Sequence, residues 1–153
     1  MFQRILVPVD GSHTADLGLN LAIGMARESG ATLYVLHVVP EFIVMQDAIG
    51  GAMYADRLLA GMREAGRQTL AKAEAKVRAK GLRYRAILIE EPAVRVSEVI
   101  VSQAKKVKAD VIVLGTHGRR GLQRMVMGSD AEGVVRDAPV PVLLVRSRDK
   151  GRR

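Results

Sequence analysis

The chain contains no cysteine, which excludes disulfides, thiolate metal sites and cysteine nucleophiles and is compatible with a reducing compartment. It has no apolar run long enough to span a membrane. Its start, Met1-Phe2-Gln3-Arg4 followed by Ile5-Leu6-Val7-Pro8, lacks the basic opening and longer apolar stretch of a signal peptide. These absences give the expectation of a soluble, cytoplasmic protein with no membrane partner. Two phosphate-binding signatures are also missing: the lysine of a GxxxxGK loop and the glycines of GxGxxG. Histidines His13, His37 and His117 fall on a turn, a strand and a loop without a second ligand at metal spacing, which argues against a zinc site.

What is present fits one globular domain. A chain of 153 residues with 48% hydrophobic and 26% charged residues can bury a single core. We expect that domain over 1–146, with 147–153 as a basic flexible tail. The net charge of +8 invites a polyanion, yet most of it is diluted. Arg63, Arg67, Lys72, Lys76, Arg78 and Lys80 share a helical stretch with Glu64 and Glu74, the pattern of a solvated helix surface. Positive charge concentrates only at Arg119-Arg120 and along Arg146 to Arg153, where Asp149 interrupts it. Nucleic acid is therefore not the expected partner.

Strand and helix signals alternate. Arg4 to Val9 reads as a buried strand stopping at Asp10-Gly11-Ser12, and Ser12 can cap a helix over His13 to Ser29, which Gly30 ends. Within that helix Leu17, Leu21, Ile23 and Met25 recur at roughly helical spacing. Thr32 to Val39 is a second strand, 40–52 a loop, and Met53 to Lys80 a long helix rich in strong helix formers and ended by Gly81. Arg83 to Ile89 is a third strand, and Val94 to Val107 a helix opened by Pro92. Asp110 to Leu114 is a fourth strand, Ser129 to Asp137 a helix, and Pro139 to Val145 a fifth strand. This alternation implies an α/β fold: an open, five-stranded parallel sheet with helices on both faces, flavodoxin-like, in the order 3-2-1-4-5.

In such a sheet ligands bind beyond the carboxyl ends of the strands, where strand order reverses. That point brings Pro8-Val9-Asp10-Gly11-Ser12 to the loop beginning Gly115-Thr116-His117-Gly118. After nine further residues this loop reaches Gly128-Ser129 at the opening of a helix. Glycines allow close backbone approach, and helix-opening N–H groups favour an anion. Arg119, Arg120 and Arg124 add positive charge nearby. The same residues also read as local structure, because Ser129-Asp130-Ala131-Glu132 has the pattern of a capping box. Asp10 stays open between a general base and a turn or helix-capping carboxylate. Ser12 and Ser129 are better caps than nucleophiles.

From Arg4 to Val145 the chain resembles the universal stress protein family. The resemblance rests on Ile5-Leu6-Val7-Pro8-Val9-Asp10-Gly11-Ser12, on Leu36-His37-Val38, and on Ala138-Pro139-Val140-Pro141-Val142-Leu143-Leu144-Val145. It rests most on Gly115-Thr116-His117-Gly118 with nine residues to Gly128-Ser129, which matches the G-2x-G-9x-G-[ST] pattern of the family's ATP-binding branch. The resemblance implies an ATP or AMP site. Adenine would lie near Pro8 and Val9 and pair with the main chain at Val38, and Asp10 would face the ribose or a Mg²⁺-bound phosphate. Leu114, Gly115, His117, Gly118 and Arg119 would hold the ribose and first phosphate, and Gly128, Ser129, Asp130 and Ala131 the outer phosphates. It also implies a homodimer through Val140 to Val145.

Two positions depart from the family pattern. Asp130 stands where an uncharged residue is usual and sets a carboxylate beside the phosphates, and Gly133 replaces a longer helical residue. No Ser-His-Asp order or carboxylate pair compels a reaction, so the leading expectation is a nucleotide-binding stress-response or signalling module with an unidentified protein partner. A slow Mg²⁺-dependent ATPase or ATP-using transferase on the same sheet, and a ligand-free interaction protein, are the alternatives.

Overall fold

The computed structural model describes residues 1–41, 44, 51–90, 94–116 and 127–147. The elements in chain order are β1 (Arg4–Pro8), α1 (His13–Ser29), β2 (Thr32–Val38), α2 (Ala52–Arg78), β3 (Tyr84–Ile89), α3 (Val96–Lys106), β4 (Val111–Gly115), α4 (Ser129–Asp137) and β5 (Val142–Val145). The five strands are parallel and ordered β3-β2-β1-β4-β5, as the alternation of strands and helices requires.

The central strand explains why its sequence is apolar without interruption. Ile5, Leu6 and Val7 are all fully buried, because successive side chains enter opposite faces and both faces are covered. Ile5 and Val7 join Leu19, Ala22 and Ala26 of α1 and Leu70, Ala73 and Val77 of α2. Leu6 joins Ile100 and Ala104 of α3 and Ala131 and Val134 of α4.

Helix α1 corrects the expected stripe. The residues it buries are Thr14, Ala15, Gly18, Leu19, Ala22 and Ala26, while Leu21 is 42% exposed. Small side chains at successive turns let the helix axis lie close to the sheet around the buried Leu19, while Ile23 and Met25 pack at the margin of the same cluster. Its ends match expectation: Ser12 Oγ accepts from the Ala15 N–H (3.2 Å) and Gly30 adopts a left-handed conformation at φ 70°. Elsewhere boundaries move inward, α3 beginning at Val96 and β5 at Val142. The expected loop over 40–52 is helical at Glu41 and Val44 and enters α2 at Ala52; residues 42, 43 and 45–50 and the helix-opening Pro92 lie outside the described residues. Among the described residues no helix is long and apolar enough to cross a membrane.

The amino-terminal edge of the sheet is tied by Asp110, whose Oδ2 accepts from the main-chain N–H groups of Gln3 (2.7 Å) and Arg4 (2.8 Å). Those two bonds hold its carboxyl below the ordinary carboxylate value. Because the folded-state value is depressed, the contribution is complete above the unfolded value of about 4 and is lost as pH falls through the folded one. The stability difference between wild type and Asp110→Ala, followed by urea unfolding, is expected to be constant from pH 7 to 5 and to shrink below pH 4. A difference that widens on acidification contradicts this role.

Candidate functional site

The crevice is set by how the strands part. Pairing of β1 with β4 runs through Ile5↔Val111 and Leu6↔Ile112, whereas pairing with β2 continues to Pro8↔Leu36. Beyond Leu6 the chain at the end of β1 therefore leans toward β2, opening the sheet on the β4 side at the point of strand-order reversal.

Pro8, Val9 and Asp10 form one wall. The Val9 N–H donates to the Leu36 carbonyl (2.8 Å), and Asp10 Oδ1 accepts from the Ser12 N–H (2.8 Å). The intervening Gly11 has φ 81°, in the region that favours glycine. Asp10 thus acts as the turn-forming carboxylate that delivers Ser12 to the start of α1.

The facing wall is the end of β4. Leu114 is buried beside Leu144 of β5. An alanine Cβ at Gly115 would lie 2.7 Å from both Ala15 N and Thr14 C, so the first turn of α1 rests directly on this position. The glycine is thus required by helix packing as well as by any ligand. Thr116 is buried, its N–H donates to Val145 (3.0 Å), and its carbonyl accepts from the Gly128 N–H (2.9 Å). That last bond brings the two ends of the intervening loop together. His117, Gly118, Arg119, Arg120 and Arg124 lie outside the described residues.

At α4 the capping box is corrected. The N-cap is Gly128, whose carbonyl accepts from the Glu132 N–H (2.9 Å), and Ser129 is the first helical residue. Gly128 has no side chain with which to cap this terminus, and the main-chain N–H groups of the first turn of α4 lie at the positive end of the helix dipole. Asp130 and Glu132 occupy the first turn. Gly133 also has a packing reason: a Cβ there would lie 2.8 Å from Ser97 Cβ and Oγ of α3. Close contact of α3 and α4 therefore accounts for a glycine at this position.

Val38 completes the crevice. Since the Val39 N–H donates to Ile89 of β3 (2.9 Å), alternation along the strand turns the N–H and carbonyl of Val38 the other way, past the end of β1. The structure thus brings Pro8, Val9, Asp10, Val38, Leu114, Gly115, Gly128, Ser129, Asp130 and Ala131 to one end of the sheet.

Other connections there were not anticipated from sequence. His37 is buried, with Nδ1 2.7 Å from the Val9 carbonyl oxygen. Arg63 of α2 grips Glu41 through Nε–Oε1 (2.7 Å) and a second guanidinium nitrogen to Oε2 (2.9 Å). Arg67 of α2 reaches Glu90 just after β3 (2.7 Å). Helix α2 is therefore fastened to the chain leaving both β2 and β3. The available signal was a histidine inside the apolar run Val35-Leu36-His37-Val38-Val39, since a buried imidazole must find partners.

The universal stress protein family model matches residues 1–146. A universal stress protein of Methanocaldococcus jannaschii is 34% identical over 98% of this chain and 85% of its own length. A structure from the universal stress protein family of Burkholderia pseudomallei has 32% identity and a TM-score of 0.76, covering 95% of this chain and 96% of that one. The universal stress protein of Archaeoglobus fulgidus in complex with dAMP has 28% identity and a TM-score of 0.70, covering 94% of this chain and 97% of that one.

Proposed function

The chain belongs to the universal stress protein family, and from that premise we propose that it binds an adenine nucleotide, ATP or AMP, in the crevice between β1 and β4 and serves as a stress-response module rather than a dedicated enzyme. The observation that carries this reading is the glycine-led start of α4, which the Gly128–Thr116 bond sets at the end of β4 beside the turn at Asp10. Main-chain N–H groups there, with the helix dipole behind them, suit phosphate. Support comes from the Archaeoglobus fulgidus relative, whose structure contains dAMP. Adenine would lie against Pro8 and Val9 and meet the main chain of Val38. Gly115 and the Gly128–Ala131 segment would hold ribose and phosphates, and the resemblance adds His117, Gly118 and Arg119 to the nucleotide contacts. Asp10 would hold a phosphate-bound Mg²⁺, which would supply positive charge against the outer phosphates. Because Asp10 already accepts from the Ser12 N–H, its geometry favours a turn over a general base. The proposed homodimer pairs the β5 edge, Val140 to Val145, where Leu143 is exposed.

Thermal unfolding tests the reading. AMP or Mg²⁺-ATP at 100 times its Kd is expected to add about 2.7 kcal/mol to the folded state, roughly 2–4 °C in Tm per kcal/mol for a chain of this size. GTP should add much less. No shift from either adenine nucleotide at millimolar concentration contradicts the proposal.

Asp130 gives opposed effects on helix and ligand. In Asp130→Asn, loss of a first-turn carboxylate should lower ligand-free stability by about 0.3–1 kcal/mol. Removal of its repulsion should strengthen ATP binding by on the order of 1 kcal/mol, about fivefold, with a smaller gain for AMP. Parallel calorimetric titrations with the two nucleotides check this, and equal changes for both would place the outer phosphates away from α4.

A further inference from the structure

His37 lies between Leu36 and Val38 and is only 3% exposed. An imidazole so enclosed loses solvation unless its nitrogens find partners. Because the Val9 carbonyl 2.7 Å away can only accept, Nδ1 carries the proton and the bond selects that tautomer. Its place in the ladder is telling. The Val9 N–H donates to Leu36, and in a parallel pair the next bond of the series runs from the Val38 N–H to the Val9 carbonyl. The His37 ring engages that acceptor, while the Val38 N–H and carbonyl point past the end of β1.

The opposite edge of the ring meets α2. A Cβ on Gly66 would lie 2.9 Å from His37 Cδ2 and Nε2 and 3.1 Å from Val39 Cγ2. The helix therefore has no side chain where the ring stands against its backbone.

We infer that His37 is a positioning residue for the nucleobase: its Nδ1–H holds the Val9 carbonyl, and the donor and acceptor of Val38 are thereby presented to the crevice, with Gly66 giving the ring its room. This rests on the adenine-nucleotide reading above. One residue offering an N–H beside a carbonyl complements a base edge with an acceptor beside an amino group, as in adenine. Guanine, with a carbonyl beside a ring N–H, presents the reverse.

The test is AMP and GMP binding by wild type, His37→Asn, His37→Leu and Gly66→Ala, with amide exchange at Val38 in the ligand-free proteins. Asparagine retains a donor near the Nδ1 position and should bind AMP within about threefold of wild type. Leucine removes one buried hydrogen bond, so AMP affinity and the AMP-over-GMP preference should each fall about tenfold, with Gly66→Ala between the two. Exchange at Val38 should slow in His37→Leu as its N–H turns to the vacated carbonyl. A structural role alone would weaken both nucleotides alike and leave their ratio unchanged. That outcome, with unaltered Val38 exchange, overturns the positioning role and leaves nucleotide binding standing. If His37→Leu does not fold, the ratio in Gly66→Ala and His37→Asn decides. A wild type that binds neither nucleotide overturns the underlying functional reading, and the Val38 exchange rate then decides whether His37 shapes this strand end.

Discussion

Replacing Gly115 with alanine is expected to destabilise the protein by about 3 kcal/mol, at the upper end of ordinary overpacking costs. The added methyl would sit 2.7 Å from Ala15 N and Thr14 C and 2.9 Å from Thr14 O. Every one of these is a backbone atom in the first turn of α1, so no side-chain rotation relieves the contact. Relief requires α1 to lift from β4, which separates Leu19 and Ala22 from the buried cluster they share with Val113. The urea midpoint of Gly115→Ala measures the cost. As a comparison, Gly24→Ala adds a methyl to α1 with nothing within 4 Å and should be neutral or stabilising by up to about 1 kcal/mol from helix propensity. Equal midpoints for the two variants would show that the packing of α1 on Gly115 has no energetic weight.

Arg63→Ala should cost about 2–3 kcal/mol. Its partner Glu41 has a side chain only 4% exposed, while that of Arg63 is 29% exposed. The variant leaves a carboxylate in a buried position without its two-pronged partner, a change that costs about 3–5 kcal/mol for fully enclosed pairs. Partial exposure of the guanidinium lowers the figure. If the cost arises from the stranded charge, Glu41→Leu combined with Arg63→Met should recover more than half of it in a thermal unfolding series. A double variant as unstable as Arg63→Ala would place the effect in packing of the arginine stem instead.

The fold was legible because its signals are local and repeated. Ile5-Leu6-Val7 needs two covered faces, Ser12 and Gly30 bracket a helix, and strands alternating with helices leave little choice of topology. Position in the sheet then followed for Asp10 and Gly128. Less was legible where the deciding neighbour is remote in sequence. Leu21 fits the helical spacing yet faces outward, since Ala15, Gly18 and Ala22 are what allow α1 to approach the sheet. Ser129 fits a capping box, yet the Gly128 carbonyl accepts the first helical bond and shifts the frame by one residue. The pairings Gly115 with Thr14, Gly133 with Ser97 and Gly66 with His37 depend on how close two elements come, which no single segment encodes. Glycines that read as loop or ligand residues thus carry helix packing as well.

The place of the nucleotide is tested most directly by an amide chemical-shift titration of the full chain with AMP. The predicted result is saturable change concentrated at Val9, Asp10, Val38, Gly115 and Ser129 to Ala131, with none at Gly81 or Lys108 on the opposite end of the sheet. Absence of any change at millimolar AMP, or changes clustered at that opposite end, would contradict the account.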